Sequence, residues 1–555
     1  MASLTPYQGS LGKHRAAHLL RRTCFRYSKQ RIEQLASMNA DQAVNSLLTL
    51  NNLELDQPLY DDQATTQVVE QTKWLSPPGL PLPTTDMFIL ERRVTGWWLN
   101  EALEDTGIGH KMTLFFHQHL PTSIITYNHV TFFDYLSLLR WGCLGNIKKL
   151  VTKMVADNTM LYYLNGHQNQ KNAPNENFAR EFFELFTIGK GPQLGPGDYT
   201  NYTEDDIVQA ARVFTGWRAL PNRTGVDPET NIPRGTATLS RHDIGNKTFS
   251  SHFQNTVIQG GTTAAAMYTE LDAFVNMVFA QPETARNFVR RIYRYFVHTN
   301  INQEIEDDII EPLAESLRSN GYEIVPMMRK LLKSQHFYDL DDSVNADEIL
   351  GGMIRSPLEL ALQSISFFGL TIPSPYTENY KHYFTFYNSA VYDRMLGLAN
   401  LNLFYPPDVA GYPAYHQAPE FSRHWFSSTS IISRYKLPQM LLSGKRTIGG
   451  TAGSNNSSIG IKLDIVLWVR NSGISLDPSN PYQLVKDLLD YMLPVDVDID
   501  RFNYFYEQIF LDGLPPSDWT YEWQNYLSTG NQTEVKIPLE KLINFIMYSP
   551  EYQTF

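Results

Sequence analysis

Cysteine is almost absent: Cys24 and Cys143 are the only two in 555 residues, too few for a disulfide framework or a thiolate zinc site. The two could pair after export, but nothing in the sequence requires it. Long apolar runs are missing as well. No stretch approaches the roughly 20 apolar residues of a membrane span, and the opening MASLTPYQGSLGKHR lacks the apolar region of a signal peptide. The segment RRTCFRYSK from Arg21 resembles a twin-arginine signal, yet no apolar stretch follows it, so it reads as mature sequence. The expected location is periplasmic or exported if a leader has been removed, and cytoplasmic otherwise. Positive charge is in deficit, with 46 Lys and Arg against 58 Asp and Glu and a net charge of −12. That balance disfavours nucleic acid or an anionic membrane as the main partner. Local basic groups remain at Arg21 and Arg22 and at Arg290, Arg291 and Arg294. Helical spacing puts Arg290 and Arg294 on one face, where solvent or paired carboxylates are the expected surroundings. Motifs are lacking too: there is no G-x-S-x-G elbow, Walker loop, dinucleotide fingerprint after a strand, H-E-x-x-H or EF-hand loop. A conventional serine hydrolase, NTPase or Rossmann oxidoreductase is thereby disfavoured.

Aromatic residues are abundant, at 13% of the chain with 31 Tyr and 30 Phe, which predicts a large aromatic core. Hydrophobic residues at 42% and charged residues at 19% are ordinary for a globular protein. The length exceeds what one hydrophobic core usually serves, so one large or two closely packed domains are expected. Helical periodicity dominates, over 86–102, 111–120, 146–164, 175–187, 204–217, 270–279, 285–297, 304–319, 325–334, 357–368 and 481–492. Thr203 with Asp206 has the form of a capping box, which accounts for Glu204 and Asp205 as first-turn acids. Strand-like alternation is weak. The fold class is therefore mainly α: a large multi-helix array with long irregular loops and little β-structure. Loops are expected at 55–85, 218–239 and 444–460, the last rich in Gly and Ser and suited to a lid or linker. A single domain over 1–555 is expected, with 461–555 as a docked C-terminal subdomain if 444–460 acts as a linker. A loosely recurring pattern of an amphipathic helix running into Ser and an aromatic, from Ile324 and Ile537, is too irregular for a solenoid.

Three constellations carry chemistry. On a regular helix, taking Glu176 as zero, Arg180 falls at about 40°, Glu184 at about 80°, Asn177 at about 100° and Glu181 at about 140°. The opposite side is aromatic, so the helix is two-faced. The 176–180–184 spacing is also that of an ordinary surface ion-pair ladder. The functional alternative is a cleft in which crowded carboxylates raise one pKa for acid or base work, or bind a cation. His117 and His119 form an H-x-H beside Pro121, with His110 on the face of His117. On a regular helix His119 lies about 200° from His117, so a shared metal needs irregular backbone. The third group is His242 and Asp243 with Lys247 on loop-like backbone, equally explained as an Asp-Gly turn.

These blocks also carry a resemblance. PNENFAREFFELFTIGKG from Pro174, YTEDDIVQAARVFTGW from Tyr202 and HDIGNKTF from His242 resemble the signature blocks of the bacterial family known as domain of unknown function 1800 (DUF1800). HLLRRTCF from His18, KMTLFFHQHL from Lys111, IRSPLEL from Ile354 and PPDVAGYPAY from Pro406 extend it over most of the chain. Phe116 and Tyr412 stand where the family usually has Trp, and both exchanges keep an aromatic. The resemblance implies a helix-rich fold, often exported and encoded beside a partner related to alkaline phosphatases and sulfatases. It implies no established reaction. The expectation is a hydrolytic, metal-assisted enzyme using Glu176, Arg180, Glu181, Glu184, His242 and Asp243, with His117, His119 and Glu181 as ligands of a divalent metal. The alternative is a non-enzymatic exported binding or assembly protein acting with such a partner or a surface glycan.

Overall fold

Thr203 and Asp206 cap each other's backbone as the sequence predicts, and helix Glu204–Val213 starts there. Ser356 and Glu359 form a second such box, with Pro357 in the first helical position. The computed structural model describes residues 2–50, 55, 59–60, 72–73, 87–341, 349–372, 385–444 and 462–555. Helices dominate these residues, and strands occur only as four short antiparallel pairs. The elements that position the candidate site are α1 (Gly12–Thr23), α2 (Met87–Glu104), α3 (Gly109–His119), α4 (His129–Gly142) and α5 (Glu176–Glu181). They are followed by α6 (Glu204–Val213), α7 (Ala264–Ala280), α8 (Pro282–Phe296) and α9 (Pro357–Phe367).

Two periodic stretches break for local reasons. The 146–164 stretch divides into Ile147–Met154 and Asn158–Tyr163. There buried Asp157 accepts the Met160 N–H at 2.8 Å and starts a new helix. The central stretch is α-helical only to Glu181 and then widens into one π-helical turn, Phe182–Phe186. The Thr187 hydroxyl donates to the Phe182 carbonyl at 2.6 Å, and the Gly189 N–H to the Phe183 carbonyl at 2.8 Å, closing that turn.

The aromatic face predicted for α5 is buried. Phe178 packs edge-on to Phe214 at 4.8 Å, and Phe182 and Phe183 pack against Phe274 of α7 at 5.3 and 5.7 Å. One contiguous cluster of buried apolar side chains includes Ala2, the centre and Tyr552. Arg21 and Arg22, both buried, are part of that join. Arg21 donates to the carbonyls of Leu493 and Tyr491 at 2.8 and 3.1 Å, and Arg22 to the Ile349 carbonyl. Arg355 and Arg434 make similar bonds to Tyr552 and Gln553. The 445–460 part of the Gly/Ser-rich loop lies outside the described residues, as does most of 55–85. Among the described residues, no helix is long and apolar enough to cross a membrane.

Candidate functional site

Asn175 starts α5 by accepting the Asn177 N–H at 2.9 Å, and Asn169 in turn accepts the Asn175 N–H at 2.9 Å. One turn on, Arg180 grips Glu204 of α6 through two bonds of 3.0 and 2.8 Å. Glu176 and Glu184 flank it at 3.6 and 3.8 Å. The Tyr202 hydroxyl donates to Glu184 at 2.8 Å, and Lys190 lies 3.2 Å from the same oxygen. The guanidinium holds Glu204 below the ordinary carboxylate range. Glu176, Arg180 and Glu184 are thus a closed, partly exposed ion-pair network, with Arg180's charge answered within the protein.

Glu181 differs. It is half-buried and has no hydrogen-bond or ion-pair partner among the described residues. Burial first, then the charge of Glu184, then that of Asp408 push its carboxyl up to about 6 against the pull of Arg180. Asp408 sits in a tight turn: its Oδ1 accepts the Ala410 N–H at 2.7 Å and its backbone carbonyl accepts the Gly411 N–H and the Tyr163 hydroxyl. Burial, with Asp408 and Glu181 nearby, raises the Tyr163 phenol to about 12. The turn is pressed onto the H-Q-H motif: a β-carbon on Gly411 would stand 3.0 Å from the Gln118 carbonyl. Neither Asp408 nor Tyr163 stands out by sequence spacing. The tight Asp-Val-Ala-Gly turn is the only local signal for Asp408.

The two histidines of that motif bond to separate partners. His117 Nδ1 meets the Tyr135 hydroxyl of α4 at 3.0 Å, and that hydroxyl donates to the Leu120 carbonyl. Burial pushes the ring down to about 3, which makes His117 a neutral core group. His119 Nε2 donates to the Phe186 carbonyl at 2.9 Å, tying α3 to the end of the π-helical turn. Burial and then Arg291 hold His119 well below the usual histidine range. On a regular α3 the rings diverge, and among the described residues no group of three or more His, Cys, Asp or Glu side chains could hold a metal ion. His117, His119 and Glu181 as they stand do not fit a divalent cation.

His242 and Asp243 form a third network. His242 Nε2 lies 2.8 Å from Glu270 of α7, Nδ1 lies 2.8 Å from the Thr215 carbonyl, and Lys247 closes on Glu270 at 2.6 Å. The His242, Glu270 and Lys247 side chains are at most 1% exposed. Asp243 accepts from Arg212 of α6 at 2.7 Å and from the Gly245 N–H at 2.9 Å, the predicted Asp-Gly turn. Although burial opposes it, Arg212 keeps this carboxyl below its ordinary range. α6 therefore links the blocks without merging them. Glu204 at its start holds Arg180, while Arg212, about 12 Å further along the axis, holds Asp243.

Compared with family models, residues 18–554 match the one described as "Protein of unknown function (DUF1800)". The chain belongs to the DUF1800 family. No curated protein and no solved structure matches it. The DUF1800 model covers every block described above, from His18 in α1 to the C-terminal contacts of Tyr552, so these networks all lie within the family's own unit.

Proposed function

We propose that this DUF1800 protein is a hydrolytic enzyme in which Glu181 is the proton donor. The observation that carries this reading is the half-buried, unpaired carboxyl of Glu181, held at about 6 beside the like charges of Glu184 and Asp408. Such a group is protonated often enough near neutrality to donate to a leaving atom, while an ionised neighbour steadies the charge that develops. Asp408 is the residue to receive that role. Glu176, Arg180 and Glu184 shape the field around the acid, and His119 braces the π-helical turn beneath it. His242 and Asp243, at the far end of α6, hold the scaffold that presents Glu204 to Arg180.

The test is a screen of the purified full chain against chromogenic esters, phosphates, sulfates and glycosides, with Glu181→Gln beside it. The variant is expected to lose about 10²- to 10⁴-fold in turnover with an unchanged melting curve. The wild-type rate should fall as pH rises above about 6, as Glu181 loses its proton. Turnover retained by Glu181→Gln would remove Glu181 as the acid. The closed pairing of Arg180 with Glu204 favours a second reading, an exported binding or assembly protein acting with an alkaline phosphatase- or sulfatase-like partner or a surface glycan. No turnover on any substrate class, together with retention of the protein on a glycan or partner matrix, would favour that reading instead.

A further inference from the structure

Helix α8 carries four arginines whose surroundings differ sharply. Arg286 binds Glu311 and Arg290 binds Glu306 and Glu283, at 2.5–3.0 Å. Arg291 and Arg294 have no carboxylate within ion-pairing distance and make no hydrogen bond among the described residues, although both are half-buried. Arg294 lies over the Phe421 ring at 5.3 Å, and its Nε is buried without a partner. The chain segment facing them is the short helix Pro413–His416 and the turn after it, seated on α8 with Tyr415 against Tyr295 at 5.4 Å. That segment and the residues after it bring His416 and His424, each with a buried Nε2 that has no hydrogen-bond partner among the described residues. His416 is within electrostatic reach of Arg291, His424 and Asp408. On the α3 side, the Gln118 side chain has both polar atoms buried and without a hydrogen-bond partner among the described residues, as is His119 Nδ1. Asp408 acts on His416 and Glu306 acts on Arg294 through space, but among the described residues neither carboxylate forms an ion pair with Arg291 or Arg294.

A guanidinium keeps its charge at every physiological pH and demands acceptors. Burying two of them side by side without a directly paired carboxylate is costly, and burial together with Arg294 already pushes Arg291 down to about 10. On the same helix, the other two arginines are fully matched. From this contrast we infer that the seam between α8 and the Pro413–His416 segment is a binding site for a small oxyanion group, a phosphate, sulfate or carboxylate. Arg291 and Arg294 hold its charge through forked N–H donors, and Gln118 and His416 supply further polar contacts. Asp408 borders both this seam and Glu181. Resting on the acid role proposed for Glu181, the substrate class is therefore a molecule that carries its anionic group beside the bond to be cleaved.

Titration calorimetry of the full chain with inorganic phosphate, sulfate and acetate tests the site without requiring turnover. Saturable one-to-one binding of at least one anion is expected, weakened tenfold or more in Arg291→Gln and in Arg294→Gln. Arg286→Gln, which removes a matched arginine from the same helix, should bind as the wild type does, and so should Glu181→Gln. Should Arg291→Gln fail to fold, Arg291→Lys keeps the charge and loses the fork, and it is expected to bind measurably more weakly. No saturable binding of any of the three anions, or equal binding by Arg294→Gln and Arg291→Lys, would overturn the site. Loss of turnover in Glu181→Gln with anion binding intact would keep the two assignments separate.

Discussion

Burial, Glu184 and Asp408 all disfavour the charged form of Glu181, and Arg180 alone favours it. Arg180 is nevertheless committed to Glu204 by two short bonds, so it acts on Glu181 through space. Replacing it separates the two effects. Arg180→Ala removes the one positive influence on Glu181 and leaves the charges of Glu176, Glu184 and Glu204 less well balanced, with Lys190 still beside Glu184, so the Glu181 carboxyl must rise further. If Glu181 is the acid, the limb of the pH–rate profile should move to higher pH by about half to one pH unit. The melting temperature should change little, because a partly exposed ion pair is worth only about 0–1 kcal/mol. Arg180→Lys, which keeps the charge, should leave the limb near its original place. A limb that stays fixed in Arg180→Ala would show that another group titrates.

At the scale of elements, what could be read from the sequence followed from local rules. The two faces of α5, its Asn175 start and the capping box of Thr203 all depend on residues within one or two turns, and all are present. The π-helical turn was not legible, because a regular step of 100° per residue was carried past Glu181, where the backbone widens. Nor were the pairings that decide chemistry. Glu204 reads as a first-turn acid until the packing of α6 on α5 brings it to Arg180, and Asp408 reaches Glu181 only through long-range folding. The turn that carries Asp408 depends on Gly411, with φ of +90° and the Gln118 carbonyl 3.0 Å from where a β-carbon would stand. Gly411→Ala is expected to cost about 1–3 kcal/mol in urea denaturation. The control is Gly473→Ala, also at positive φ but with nothing within 4 Å of the added carbon. That variant should bear the backbone term alone. Equal costs at the two positions would show that the contact with Gln118 constrains nothing.

Across the whole molecule, the common feature is burial of polar groups whose charge state folding has to choose. His18, His117 and His119 are buried, and burial is the leading cause that depresses each of them, His117 to about 3. In the unfolded chain these rings titrate near 6.5. Their contribution is therefore complete above that pH and is lost as pH falls below it, for His117 through the window down to about 3, because the unfolded chain binds protons that the folded one refuses. Asp134 and Asp157 act in the opposite sense. Burial raises them to about 6 and about 7, so the stability they add is present at acid pH and fades as pH rises through those values. The measured pH dependence is the resultant of both groups, and a single substitution isolates one of them. His117→Gln removes a ring whose titration is shifted by burial and substitutes a side chain that does not titrate. Whatever it does to absolute stability, it should remove about 1.4 kcal/mol per pH unit from the slope of unfolding free energy between pH 6 and 4. Urea unfolding of both proteins at pH 6, 5 and 4 gives that slope directly. Parallel lines for the two proteins would mean that His117 is protonated in the folded state, and its place as a neutral core group bonded to Tyr135 would have to be abandoned.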